Sequence, residues 1–208
     1  MTALSASGWA DEVLDGLDRF RSLGVGPGMG TDESTAEQVR HLVAGTSLPT
    51  VVDGDGIRAL GAAAETVIGS RPGSADEGPS VVLTPHDGEF AALDGAAPGA
   101  DRFEAVLGLA SSTGAVVLLK GPTTLVASPG GTVLAATAGD ARLATAGSGD
   151  VLTGLILGLL AQGVAPDRAA ASAALLHGTA GDLAWRRGLV AGDLVDHLPA
   201  AFAEVAGG

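Results

Sequence analysis

The sequence predicts an α/β fold, a mainly parallel sheet flanked by helices. Three observations predict it. Short β-branched runs alternate with helix-like segments along most of the chain. Those runs are continuously apolar rather than alternating, as expected of parallel strands buried on both faces. The 33 glycines fall at separate points, which indicates many tight turns rather than a flexible tract. Hydrophobic residues make up 46% of the 208 residues, enough for a sizeable core in one domain. Aromatic residues are only 3%, so Val, Leu, Ile and Ala must fill that core.

The elements follow in order. Residues 21–25 form a first run and lead into a glycine cluster. The next runs are PTVVD at 49–53, SVVLT at 80–84 and AVVLLK at 115–120. Helices are expected between them at 33–44, 56–64, 88–93 and 100–112. Residues 71–79 read as a polar surface loop. Residues 124–127 and 132–136 flank Ser128-Pro129-Gly130-Gly131, a hairpin signal. Three helices are then expected at 150–162, 166–187 and 190–205. Leu152, Leu155, Ile156, Leu159 and Leu160 give the first of these a wide apolar face. Gly154 and Gly158 are expected to let it pack closely on a neighbour.

Charge and composition narrow the partners. A net charge of −13 repels phosphate backbones and anionic lipid, so nucleic acid and membrane surfaces are poor partners. Small anionic ligands remain possible, because backbone N–H groups at helix starts hold them whatever the global charge. The chain has no cysteine, which excludes disulfides, zinc–thiolate sites and a cysteine nucleophile. The N-terminus lacks the basic start and apolar run of a secretory signal. The longest uncharged apolar stretch, 151–165, is too short to span a bilayer. A cytoplasmic location is expected. No His/Asp/Glu cluster has transition-metal spacing, so no metal ligands are assigned. His41 and His197 read as surface residues, and His177 as a packed core histidine.

The sharpest local signal is Ala146-Gly147-Ser148-Gly149-Asp150, followed at once by an apolar helix. Small residues let the backbone approach a ligand, and the first-turn N–H groups and helix dipole favour an anion there. A carboxylate at Asp150 stands where it could take a proton from an attacking hydroxyl. Spacing alone equally allows a helix-start charge at Asp150 and a capping role for Ser148. No Gly-Lys-Ser/Thr follows the glycines, so this is not a P-loop. Of the eleven basic residues only Lys120 is a lysine, and it stands beside a glycine at the end of an apolar run.

Residues 143–163, LATAGSGDVLTGLILGLLAQG, resemble the Gly-x-Gly-Asp signature of the ribokinase-like superfamily. Three further segments narrow the resemblance to the ADP- or ATP-dependent NAD(P)H-hydrate dehydratases. They are Gly26-Pro27-Gly28-Met29-Gly30, Leu83-Thr84-Pro85-His86-Asp87-Gly88-Glu89 and Lys120-Gly121-Pro122-Thr123-Thr124. All four occur in that family's order, and the resemblance covers roughly residues 20–187. It implies a three-layer ribokinase-like fold that lacks its N-terminal strands, because only 25 residues precede Gly26 here and the family has more. One N-terminally incomplete domain, 1–208, is therefore expected.

The resemblance also implies roles. Asp150 would be the catalytic base and lie against the hydrated nicotinamide. Gly147, Ser148 and Gly149 would form an anion hole, with Gly149 also near the adenine nucleotide. Lys120, Gly121, Pro122, Thr123 and Thr124 would border that nucleotide. Gly28 and His86 would contact the hydrated dinucleotide, although His86 read by itself can simply hold a turn and Glu89 cap the following helix. Asp53 and Asp55 would order the site or a solvated metal. The implied reaction dehydrates NADHX or NADPHX to NADH or NADPH at the expense of ADP or ATP, with Mg2+ on the nucleotide. A homo-oligomer and an epimerase partner are further expectations.

The chain departs from the family pattern at Asp87, which replaces a proline, and at Asp140, Ala141 and Arg142 in the loop before the signature. Two other readings stand beside the dehydratase. One is a small-molecule kinase of the same superfamily, which shares Gly-x-Gly-Asp. The other is a non-catalytic nucleotide-binding remnant.

Overall fold

A computed structural model of the protein describes residues 8–73 and 80–207. Residues 74–79 of the expected polar loop lie outside them. Six strands form one sheet in sequential order: β1 (Leu23–Val25), β2 (Thr50–Val52), β3 (Val81–Leu83), β4 (Val116–Leu119), β5 (Thr124–Ala127) and β6 (Val133–Ala136). β1 to β4 are parallel, while β5 and β6 fold back as an antiparallel hairpin on β4. Six α-helices interleave with the parallel strands: α1 (Trp9–Asp15), α2 (Glu33–Gly45), α3 (Asp55–Leu60), α4 (Ala64–Gly69), α5 (Asp87–Asp94) and α6 (Arg102–Thr113). After the hairpin come α7 (Ser148–Ala161), α8 (Pro166–Leu183) and α9 (Ala191–Ala206).

Period-two geometry explains why the strands read as unbroken apolar runs. Val52, Val81, Leu83, Val117 and Leu119 face one way and pack with apolar side chains of α1 to α6. Val51, Val82, Val116, Leu118 and Val126 face the other way and pack with α7 and α8. α9 stacks on α8 through Leu176, Ala180, Leu194 and Ala201. Each valine or leucine buried in this way contributes about 1.5–3 kcal/mol. Two apolar faces on each of β2 to β5 therefore compensate for strands of only three or four residues.

Four details differ from the sequence expectation. α1 was not expected, and it forms because Trp9 and Ala10 are buried against the first core cluster. The helix expected at 56–64 breaks at Gly61, whose φ of 46° is left-handed, and resumes as α4. α8 ends at Leu183 because Ala184 is already extended. Gly154 and Gly158 do not serve close packing: a Cβ on either would meet nothing within 4 Å. They line an open apolar groove of about 310 Å³ with Leu155, Leu159, Val195 and Phe202.

Arg71 is a further correction, since it is buried rather than part of a surface loop. Its guanidinium donates to the Val43 and Leu48 carbonyls at 2.7 and 2.6 Å, tying the end of α2 to the segment that enters β2. A cation suits a helix C-terminus. Burial pulls its pKa down to about 10, so it stays charged at neutral pH. No helix among the described residues is long and apolar enough to cross a membrane.

Candidate active site

The parallel direction of β1 to β4 brings four motifs to one edge of the sheet. Gly26 follows β1, Asp53 follows β2, Thr84 to Glu89 follow β3, and Lys120 to Thr124 follow β4. Ligands of open α/β sheets bind outside these carboxyl ends. The loops meet closely. Asp53 N–H donates to the Val25 carbonyl at 3.0 Å, and Lys120 N–H to the Pro85 carbonyl at 2.9 Å. Gly26 has φ 128°, and a Cβ there would lie 1.8 Å from the Asp53 carbonyl oxygen, so only glycine fits.

Asp53 is the hub. Its carboxylate is almost fully buried and receives Lys120 Nζ at 2.6 Å and Thr153 Oγ1 at 3.1 Å. Lys120 is partly exposed, so the ammonium sits between a buried anion and the site opening. Gly149, in the first turn of α7, stands over this pair. A Cβ on Gly149 would lie 3.4 Å from Asp53 Oδ2 and 3.6 Å from Lys120 Nζ. The start of α7 and the lysine thus face the same space. Asp55 has a separate role: it accepts from Gly30 N–H at 3.0 Å and pairs with Arg58.

α7 begins after Gly147, which is left-handed at φ 83°. Ser148 N–H donates to Thr145 and Asp150 N–H to Gly147, at 3.2 and 3.1 Å. The Gly147 and Gly149 N–H groups have no acceptor among the described residues. Unpaired first-turn amides bind anions, with the helix dipole adding to them. The Ser148 side chain is buried beneath the turn. His177 Nε2, on α8, lies 3.0 Å from Ser148 Oγ and 3.1 Å from the Ser148 carbonyl oxygen. A carbonyl only accepts, so Nε2 carries a hydrogen. Burial is the main cause holding His177 below its ordinary pKa, and the charge of Lys120 acts in the same direction. The Asp150 carboxylate is exposed, with no hydrogen-bond donor among the described residues. It is therefore free to accept a proton from a bound molecule.

The remaining expected residues lie around this centre. Gly28 has φ 72° and open space at its Cβ position. His86 caps α5: its Nδ1 accepts from Gly88 and Glu89 N–H, while Glu89 accepts from His86 N–H at 2.9 Å. The turn-holding role is thus present, and the ring stays half exposed. Gly121, Pro122 and Thr123 are exposed, and Thr124 begins β5. Pro122 and Thr123 line an open depression of about 670 Å³ with Arg102 and Phe103. Asp87 pairs with Arg102 at 2.8 Å. The divergent loop before α7 has its own ion pairs: Arg142 binds Asp140 at 2.8 Å and Asp182 at 3.5 Å. Arg142 holds the Asp140 carboxyl below the usual range.

Three features escaped sequence reasoning: Thr153, Arg102 and the link from His177 to Ser148. Helical spacing could have found Thr153, which is one turn beyond Gly149 on the same face. The other two depend on tertiary packing.

Comparison with known proteins identifies the family and the fold. A family model described as NAD(P)H-hydrate dehydratase matches residues 2–202. A bifunctional NAD(P)H-hydrate repair enzyme from Moorella thermoacetica is 43% identical over 91% of this chain and 36% of its own length. An ADP-dependent (S)-NAD(P)H-hydrate dehydratase from Neisseria meningitidis is 42% identical over 85% of this chain and 60% of its own. The chain thus spans about a third to three fifths of these relatives. A crystal structure of the ADP/ATP-dependent NAD(P)H-hydrate dehydratase from Bacillus subtilis, co-crystallised with ATP/Mg2+, superposes with a TM-score of 0.76 at 32% identity. It covers 90% of this chain and 66% of its own, and the shared architecture is ribokinase-like.

Proposed function

Because the chain belongs to the NAD(P)H-hydrate dehydratase family, we propose that it dehydrates hydrated NADH or NADPH at the expense of ADP or ATP. The observation that carries this reading is the junction of α7 with Asp53 and Lys120. Gly149, whose N–H has no acceptor among the described residues, stands over the Lys120–Asp53 pair at the carboxyl edge of the sheet, and the exposed Asp150 follows it directly in α7.

The chemistry needs these parts. Loss of water from the hydrated ring would expel hydroxide, a poor leaving group. Transfer of the terminal phosphoryl to the ring hydroxyl converts it to phosphate, a good one. Asp150 accepts the hydroxyl proton as the oxygen attacks phosphorus, and AMP or ADP departs. The Gly147 and Gly149 amides, in the anion hole expected of residues 147–149, stabilise charge on the migrating group. Phosphate then leaves, the adjacent ring carbon loses a proton, and the double bond returns. Gly28 and His86 contact the hydrated dinucleotide, and Lys120 to Thr124 border the adenine nucleotide. The buried Asp53 carboxylate aims Lys120 Nζ.

Mg2+ accompanies the nucleotide. It characteristically takes one or two carboxylates together with phosphates and water. With Asp53 occupied by Lys120 and Thr153 and Asp150 assigned as the base, the ion would be held chiefly by the nucleotide phosphates and water. When bound, the ion neutralises phosphate charge. The reading extends to a cytoplasmic homo-oligomer with an epimerase as a further partner. The bifunctional name of the Moorella relative, of which this chain spans 36%, supports a second activity nearby.

The test is incubation with NADHX and ADP while reduced-nicotinamide absorbance is followed. Asp150→Asn should lose at least about a hundredfold in kcat, as expected for a lost general base, and still bind ADP. Near-normal turnover in that variant would remove the role given to Asp150.

A further inference from the structure

Arg102, the first residue of α6, reaches out of its helix and between two of the strand-end loops. Its Nη1 donates to Asp87 Oδ1 at 2.8 Å and its Nη2 to the Lys120 carbonyl at 2.8 Å. Its side chain is about three-quarters buried, and its Nε is buried without a partner among the described residues. An unpaired buried N–H is unfavourable, so the group's place is fixed by the two acceptors it does reach. Gly121 packs against it: a Cβ there would lie 2.7 Å from Nη2 and 3.3 Å from Cζ. A side chain at position 121 would require the guanidinium to shift.

Lys120 is consequently held at three points. Its N–H bonds Pro85, its carbonyl bonds Arg102, and its Nζ bonds Asp53. Asp87 in turn orients the guanidinium plane, and Asp87 sits beside His86 on the loop that opens α5. The loop assigned to the dinucleotide and the loop assigned to the adenine nucleotide are thus clamped by one side chain. A planar group with fixed, divergent donors does this, and a lysine with a single point charge does not.

We propose that Arg102 is a positioning residue that sets the Lys120–Gly121 turn for the adenine nucleotide, with Asp87 as its anchor. This rests on the functional reading above. Loss of the guanidinium frees the Lys120 carbonyl, whereas the His86 loop keeps its own capping box. The effect therefore falls on the nucleotide rather than on the dinucleotide or the chemistry.

The experiment compares the wild type with Arg102→Ala, Arg102→Lys and Asp87→Asn. Arg102→Ala should raise KM for ADP about tenfold, while kcat and KM for NADHX stay within about twofold. Added guanidinium ion should restore much of the loss, because the vacated space offers two acceptors. Arg102→Lys and Asp87→Asn should shift KM for ADP in the same direction by less, and they decide the matter if Arg102→Ala does not fold. An unchanged KM for ADP would overturn the proposal. So would equal losses in kcat and both KM values without guanidinium rescue. Amide hydrogen exchange without ligand separates this idea from the functional reading. Faster exchange at Lys120–Thr123 in Arg102→Ala supports the clamp even if the wild type proves inactive on NADHX, and unchanged exchange refutes it.

Discussion

At the scale of single residues, the pair of Asp53 and Lys120 is where stability and site chemistry meet. A nearly buried carboxylate needs its cation, and removing one partner of a buried pair costs about 3–5 kcal/mol. Lys120 is a quarter exposed, so the cost here belongs near the lower end. Lys120→Met should lower stability by roughly 3 kcal/mol. Asp53→Asn in the same chain should return much of it, as read from urea denaturation midpoints. Equal midpoints for wild type and Lys120→Met would contradict the account. The one lysine, in a chain whose other ten basic side chains of Lys and Arg are all arginine, was a visible pointer to this position. Its partner was not visible, because 67 residues separate the two and only the sheet topology joins them. The family resemblance singled out Asp150, His86 and Gly28. Arg102 was not singled out, because nothing in residues 100–112 marks it apart from a helix-start cation.

At the scale of elements, the start of α7 is held from below by α8. His177 donates to Ser148 from a buried position, neutral and below its ordinary pKa of 6.5. The unfolded imidazole therefore takes up a proton in a range where the folded one does not. Stability falls as pH drops through about 6.5, and the fall ends once the folded imidazole also protonates. His177→Gln should flatten that part of the profile. Denaturation midpoints at about pH 7.5 and about pH 5.5 measure it, with the wild type losing more than the variant. Equal losses would remove His177 from the pH response. Most elements were readable because unbroken apolar runs mean strands covered on both faces, and the structure supplies both covers. The failures were local. Gly61 looked like any helical glycine, and the burial of Trp9 depends on α2.

At the scale of the whole molecule, parallel strands bring distant motifs together at one edge, and α7 closes over them. The sequence pattern could suggest that edge but not the opposite features of the surface. The groove between α7 and α9 stays open, with Val195 and Phe202 exposed beside it. β1 is paired on one side only among the described strands. Contiguous exposed apolar surface and an open sheet edge favour association. Sizing chromatography should therefore show a species larger than one 20.2 kDa chain. Phe202→Glu should shift it toward the monomer, and a wild-type monomer would contradict the proposed homo-oligomer.

The most direct test of the central claim is NADHX conversion with ADP, followed by absorbance of reduced nicotinamide. The wild type should restore the absorbance only when ADP or ATP is present, and Asp150→Asn should bind ADP and restore it at least about a hundredfold more slowly. Recovery without nucleotide, or recovery by Asp150→Asn at the wild-type rate, would contradict it.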